Sequence, residues 1–204
     1  MRAPDRLGVV RTPQHNPAAD ASTLDEYVRR ILDLHGPHLF LAEVDGPSVT
    51  YAEATERVAA LRRLLRDAGL KSGDRVAILG GNSINWCLTY LAVVTSGTAA
   101  VPILPDFAPA AIHNIVNVSE SRALFVSASS LEKLDGASLP GLVKVFLLDD
   151  FSQIELRPGA DLVREVRDRL ASLADRAGSF LVQHILPSTQ REHVPQPDDL
   201  AAIV

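Results

Sequence analysis

Between residues 75 and 148, short apolar runs alternate with stretches of helical periodicity, and few architectures accommodate that rhythm. Arg75 to Leu79, Ala99 to Ile103, Ala123 to Val126 and Val143 to Leu148 read as strands, apolar nearly throughout. A strand covered on one face alternates apolar with polar residues, whereas a continuous apolar run belongs to a strand covered on both. The segments between them are helical. Gly80-Gly81-Asn82-Ser83 leads into a helix running to Ser96 with Gly97 as its stop, Pro109 opens a helix to about Val118, and Ser129 to Leu134 forms a short one. The expected fold is α/β: a mostly parallel sheet flanked by helices on both faces.

Residues 1–21 mix Pro, Arg, Asp, Gln and Asn without periodicity and read as a loose N-terminal arm. Thr23-Leu24-Asp25-Glu26 has the spacing of a capping box, and Leu24, Tyr27, Val28, Ile31 and Leu32 then share one helical face. After Gly36-Pro37, Leu39 to Val44 and Ser48-Val49 flank the turn residues Asp45-Gly46, the pattern of a β-hairpin. A second capping box, Thr50-Tyr51-Ala52-Glu53, starts a helix with an apolar stripe of Ala54, Val58, Leu61, Leu64, Leu65 and Ala68. Arg57, Arg62, Arg63 and Arg66 on this helix are read as a solvated face. Beyond Asp149-Asp150 the pattern loosens, with a charged amphipathic helix from Asp161 to about Ala177 and a polar stretch to Pro197. Residues 151–197 are therefore expected to be a variable helical insertion or linker within a partial domain spanning 22–204. The sequence stops on the apolar run Ala201-Ala202-Ile203-Val204, which reads as a buried strand and leads us to expect the front part of a longer enzyme.

The net charge of −5 argues against a nucleic-acid partner, which wants a basic face. One cysteine, Cys87, excludes an internal disulfide and a cysteine-based zinc site. Apolar stretches fall short of the ~20 residues that span a bilayer, and no leader pattern opens the chain. The expected location is the cytoplasm, with peripheral contact at a membrane left open.

The junction at Gly80-Gly81-Asn82-Ser83 is the kind of strand-to-helix turn that binds anions, because backbone N–H groups and the helix dipole point there. It lacks the Gly-x-Gly-x-x-Gly spacing of dinucleotide sites and the lysine of a P-loop, so a tight turn with Asn82 or Ser83 as helix cap is the favoured reading. His35 and His38 lie near Asp33 and Glu43, but a Gly-Pro break keeps them off a shared helix face at ligand spacing. His113 and His184 show no evident partner. Cys87 beside Leu88 and Leu91 reads as a small buried thiol. Asp106 and Phe107 follow a predicted parallel strand, at the end of the sheet where ligands sit, and are weighed as substrate-facing against a turn or cap before Pro109. No catalytic, cofactor-binding or metal-binding residue is assigned.

An ordered series of short stretches adds a resemblance. Val49-Thr50-Tyr51-Ala52-Glu53, Gly73-Asp74-Arg75-Val76-Ala77-Ile78, Asn82-Ser83, Trp86, Gly97 and Val101-Pro102-Ile103 follow one another as in the AMP-forming acyl-adenylating superfamily. Ile112-His113-Asn114-Ile115 and Ser119 to Ser127 extend it, and Pro197-Asp198-Asp199-Leu200-Ala201 is similar to the lead-in to that superfamily's Ser/Thr/Gly-rich phosphate loop. Ser119 to Ser127, together with Val101 to Phe107, most resembles long-chain fatty-acid–CoA ligases. The resemblance implies a two-step ligase: a fatty-acid carboxylate attacks the α-phosphate of ATP, and coenzyme A thiolate then displaces AMP. It implies ATP, Mg2+ and CoA as co-substrates and cofactor, and the remainder of the enzyme's own chain as partner. The family's phosphate loop, nucleotide contacts and catalytic lysine have no counterpart among these residues, so the segment is expected to be inactive alone. The alternative is a non-catalytic α/β module that binds a protein through an open sheet edge.

Overall fold

In the computed structural model, residues 20–155 are described together with Arg164, Val166 and Asp168. The expected arm, most of the expected insertion and the terminal apolar run lie outside them. Helix α1 (Leu24–Leu34) precedes an antiparallel hairpin of β1 (Leu39–Ala42) and β2 (Ser48–Thr50). Then α2 (Tyr51–Asp67), β3 (Arg75–Leu79), α3 (Ile84–Val94), β4 (Ala99–Ile103), α4 (Pro109–Val118) and β5 (Ser121–Val126) follow. Two short 3-10 turns at 128–133 and 136–138 lead to β6 (Lys144–Leu147) and β7 (Gln153–Ile154).

The main sheet has the order β4-β3-β5-β6-β7 and is parallel except for the last pair. Period-two side-chain alternation divides the core between its faces. Val76, Ile78, Ala123, Phe125 and Phe146 point to the side of α1, α2 and α3. Ala77, Leu79, Leu124, Val126 and Leu147 point to the side of α4. Both sets are buried, which is why the strands are apolar throughout. Phe125 and Phe146 pair in register with ring centroids 5.0 Å apart, an offset aromatic contact across two central strands.

Local chemistry explains the element ends. The Thr50 hydroxyl accepts the N–H of Glu53 while the Glu53 carboxylate accepts the N–H of Thr50 at 2.8 Å, a complete capping box. The first box is only half made. Thr23 accepts the N–H of Glu26, but the Glu26 carboxylate turns to the N–H of Ser22 instead. Gly97, at φ 74°, ends α3 as expected.

Two expectations need correction. The polar region after Asp150 begins with a strand: Asp150 closes a turn on Ser152, Phe151 takes φ 59°, and β7 returns antiparallel to β6. The arginines of α2 are not all a solvated face, because the Arg62 side chain is mostly buried and its guanidinium reaches the buried Asp25 at 2.8 Å. The described sheet edges are short or interrupted: β7 has two residues, and β4 carries Pro102, which cannot donate to an added strand.

Candidate functional site

Strands β3 and β5 are neighbours, yet the segments after them leave to opposite faces of the sheet. Leu88 and Ala92 of α3 pack on one face, and Leu131 of the turn after β5 packs on the other. Such a divergence opens a crevice at the carboxyl ends of the strands, the usual ligand position in open α/β sheets. A crevice of about 410 Å³ lies there. Gly81, Asn82 and Ser83 after β3, Ser127 after β5, and Leu148 and Asp149 after β6 form its floor and wall. Glu43, Pro47, Ser48 and Val49 of the hairpin and Arg57 of α2 complete the lining.

The strand-end turn is fitted closely. A Cβ on Gly80 would sit 2.8 Å from Leu148 Cδ1 and 3.3 Å from Ser127 Cβ, so any larger residue would make both side chains give way where β3 ends. Ser83 is the helix cap, its hydroxyl accepting the N–H of Trp86 at 3.1 Å. The Glu43 carboxylate accepts the N–H of Ile84 at 3.1 Å. Asp149 accepts the N–H of Ala128 at 2.8 Å, and the Asn85 amide donates to the Leu148 carbonyl at 2.7 Å.

These bonds decide what the crevice can hold. The first turn of α3 would offer its N–H groups to a phosphate, but Glu43 already takes that of Ile84 and Ser83 that of Trp86. Two carboxylates, Glu43 and Asp149, and one guanidinium, Arg57, line the crevice. That balance suits hydrogen-bond donors and does not suit a triphosphate. No group of three metal-ligating side chains occurs among the described residues. The described residues that line this crevice therefore do not fit ATP and Mg2+.

The other candidate residues fall apart in space or into structural roles. His35 lies 5.2 Å from the Tyr51 ring and 6.2 Å from His38, an aromatic cluster at the foot of the hairpin. His113, without a visible partner in the sequence, accepts the N–H of Asp135 at 3.2 Å. His184 lies outside the described residues. Burial pushes the Cys87 thiol above its ordinary pKa, which suppresses the thiolate a nucleophile needs. Asp106 is an exposed turn residue; Ala108 caps α4 without a side-chain bond, and Pro109 follows at its first position. Glu43 enters the sequence reading only as a neighbour of His35 and His38, and Ser127 and Asp149 are not singled out there. For Ser127 and Asp149 the available signal was position, since both directly follow buried apolar runs.

The ordered series of strands, turns and crossovers is matched by a family model described as AMP-binding enzyme, which covers residues 34–204. The chain belongs to the AMP-binding enzyme family. It is 27% identical over 152 residues to a carboxylic acid reductase of Mycobacterium marinum, a match covering 73% of this chain and 12% of that protein. This AMP-binding chain also superimposes on the anthranilate CoA ligase AuaEII, solved with anthranoyl-AMP, at a TM-score of 0.63 and 18% identity, covering 86% of this chain and 29% of that one. A fatty acyl-adenylate ligase from L. pneumophila, solved with acyl adenylate and pyrophosphate, gives a TM-score of 0.54 at 22% identity over 68% of this chain and 25% of that one. The mostly parallel sheet flanked by helices is the N-terminal subdomain of these adenylating enzymes. The chain spans about an eighth of the reductase and under a third of either ligase.

Proposed function

We propose that this segment is the N-terminal scaffold of an ATP-dependent ligase that activates a long-chain fatty acid as its acyl-adenylate and passes the acyl group to coenzyme A. The observation that carries the adenylating step is the family match across residues 34–204. A free carboxylate is a poor electrophile, and adenylation gives it a leaving group that a thiolate can displace. ATP, Mg2+ and CoA are the co-substrates and cofactor of that whole enzyme. The segment's own part is to present the carboxyl ends of β3, β5 and β6 on a rigid, doubly covered sheet. The fatty-acid choice rests on the stretches Val101 to Phe107 and Ser119 to Ser127, and on the fold likeness to a fatty acyl-adenylate ligase.

The test is acid-dependent exchange of labelled pyrophosphate into ATP by the whole protein carrying this segment. Palmitate, octanoate, ferulate and anthranilate are compared, with thioester formation on CoA measured beside them. Palmitate should support the fastest exchange and yield palmitoyl-CoA. Faster exchange with an aromatic acid would overturn the substrate, and exchange with none of them would overturn the activation step.

A further inference from the structure

The β1–β2 hairpin is anchored firmly at one end. At its base the N–H of Tyr51 donates to the His38 carbonyl at 3.0 Å and the N–H of Ala52 to the Gly36 carbonyl at 2.8 Å. Val49 is buried in the core, and the Phe40 and Tyr51 rings lie 4.5 Å apart. The tip differs. Val44 is 95% exposed and Asp45 holds a left-handed φ of 54°. The turn closes on itself, Glu43 N–H to the Pro47 carbonyl at 2.9 Å and Gly46 N–H to the Glu43 carbonyl at 3.2 Å. From this turn the Glu43 side chain crosses to α3 and accepts the N–H of Ile84, where the helix dipole favours a carboxylate.

Glu43 also stands between two clefts. The switch-point crevice is one; the other, of about 340 Å³, is lined by Leu41, Ala42, Val44 and Cys87. Glu43, Asn82, Ser83 and Ile84 form a wall common to both. We propose that Glu43 is a latch: its carboxylate pins the hairpin tip to the start of α3, and its release lets the tip swing on the anchored base and joins the two clefts. The joined space is amphipathic, with Ser127 and Asp149 at one end and Leu41 and Val44 at the other. The latch is independent of which acid the whole enzyme activates. It rests on one charge-assisted hydrogen bond at an exposed turn, and losing such a bond shifts an open–closed ratio by about tenfold or more.

Cys87 reports the state of the latch, because its side chain lines the second cleft. In the 204-residue chain, labelling of Cys87 by a small thiol reagent should quicken by about tenfold in Glu43→Ala. Exchange of the Ile84 amide should quicken with it, while that of Ile78 in the central strand β3 stays unchanged. Glu43→Gln, which keeps an oxygen acceptor without the charge, should fall between wild type and Glu43→Ala. The proposal is overturned if Glu43→Ala leaves Cys87 labelling or Ile84 exchange at the wild-type rate. It is equally overturned if Ile78 exchange rises in step, because the effect is then general unfolding.

Discussion

Asp25 is 3% exposed, although it stands in the first turn of a helix whose Leu24 and Tyr27 are 43% and 42% exposed. The carboxylate bonds Arg29 one turn on and Arg62 of α2 at 2.8 Å, so it ties two helices together from inside. A buried carboxylate deprived of its partner costs far more than the pair contributes. Arg62→Ala leaves Asp25 with the more exposed Arg29 and should therefore lower unfolding free energy by about 1–3 kcal/mol in a urea titration. The double variant Asp25→Leu/Arg62→Met should recover most of that loss; if it does not, the pair is not desolvated. None of this was legible beforehand. Periodicity placed Asp25 off the apolar face, and the two residues are 37 positions apart. Which arginine of α2 turns inward depends on how α1 lies against it, and a single-helix pattern carries no such information.

Helix starts were legible because their chemistry is local. Both capping boxes could be read from four residues, and one formed completely. Glu53 is held below the ordinary carboxylate range by the Thr50 N–H first, then the Thr50 hydroxyl, with Arg57 adding to it. A carboxyl depressed in the folded state stabilises it above the unfolded pKa, about 4.3 for Glu, and loses that contribution as pH falls through the folded value. Glu53→Gln should melt below wild type at pH 7, with the gap closing as acid protonates Glu53. A gap that holds constant down to pH 3 would show that the carboxylate charge is irrelevant. Strand β7 was hidden for the opposite reason. Two residues carry no periodicity, and Gln153-Ile154 is a strand only because β6 lies beside it. The same holds for Ser121, whose place in β5 comes from pairing with Arg75.

At the scale of the whole molecule, the parallel sheet was legible from its continuous apolar runs, whereas the rule that ligands sit at strand carboxyl ends pointed to Asp106 and Phe107, which do not line the crevice. What fills the crevice was not legible. Glu43 comes from a hairpin that precedes β3, and only the folded chain brings it to Ile84. Because Glu43 and Ser83 hold two N–H groups at the start of α3 and two carboxylates line the crevice, ATP–Mg should leave the melting temperature of this 204-residue chain unchanged. A ligand present at a hundredfold its Kd would add about 2.7 kcal/mol and be plainly visible. A clear upward shift would mean that these residues bind the nucleotide after all. The sheet order has one more consequence, for synthesis. Strand β3 lies between β4 and β5, both of which come later in the chain. At roughly 5–20 residues per second, Val76 to Leu79 wait some seconds on the ribosome before residues 121–126 are even made. A wholly apolar stretch of the sheet is thus the one a nascent chain leaves longest without its second partner, and it is where a chaperone that grips extended apolar segments would find its hold.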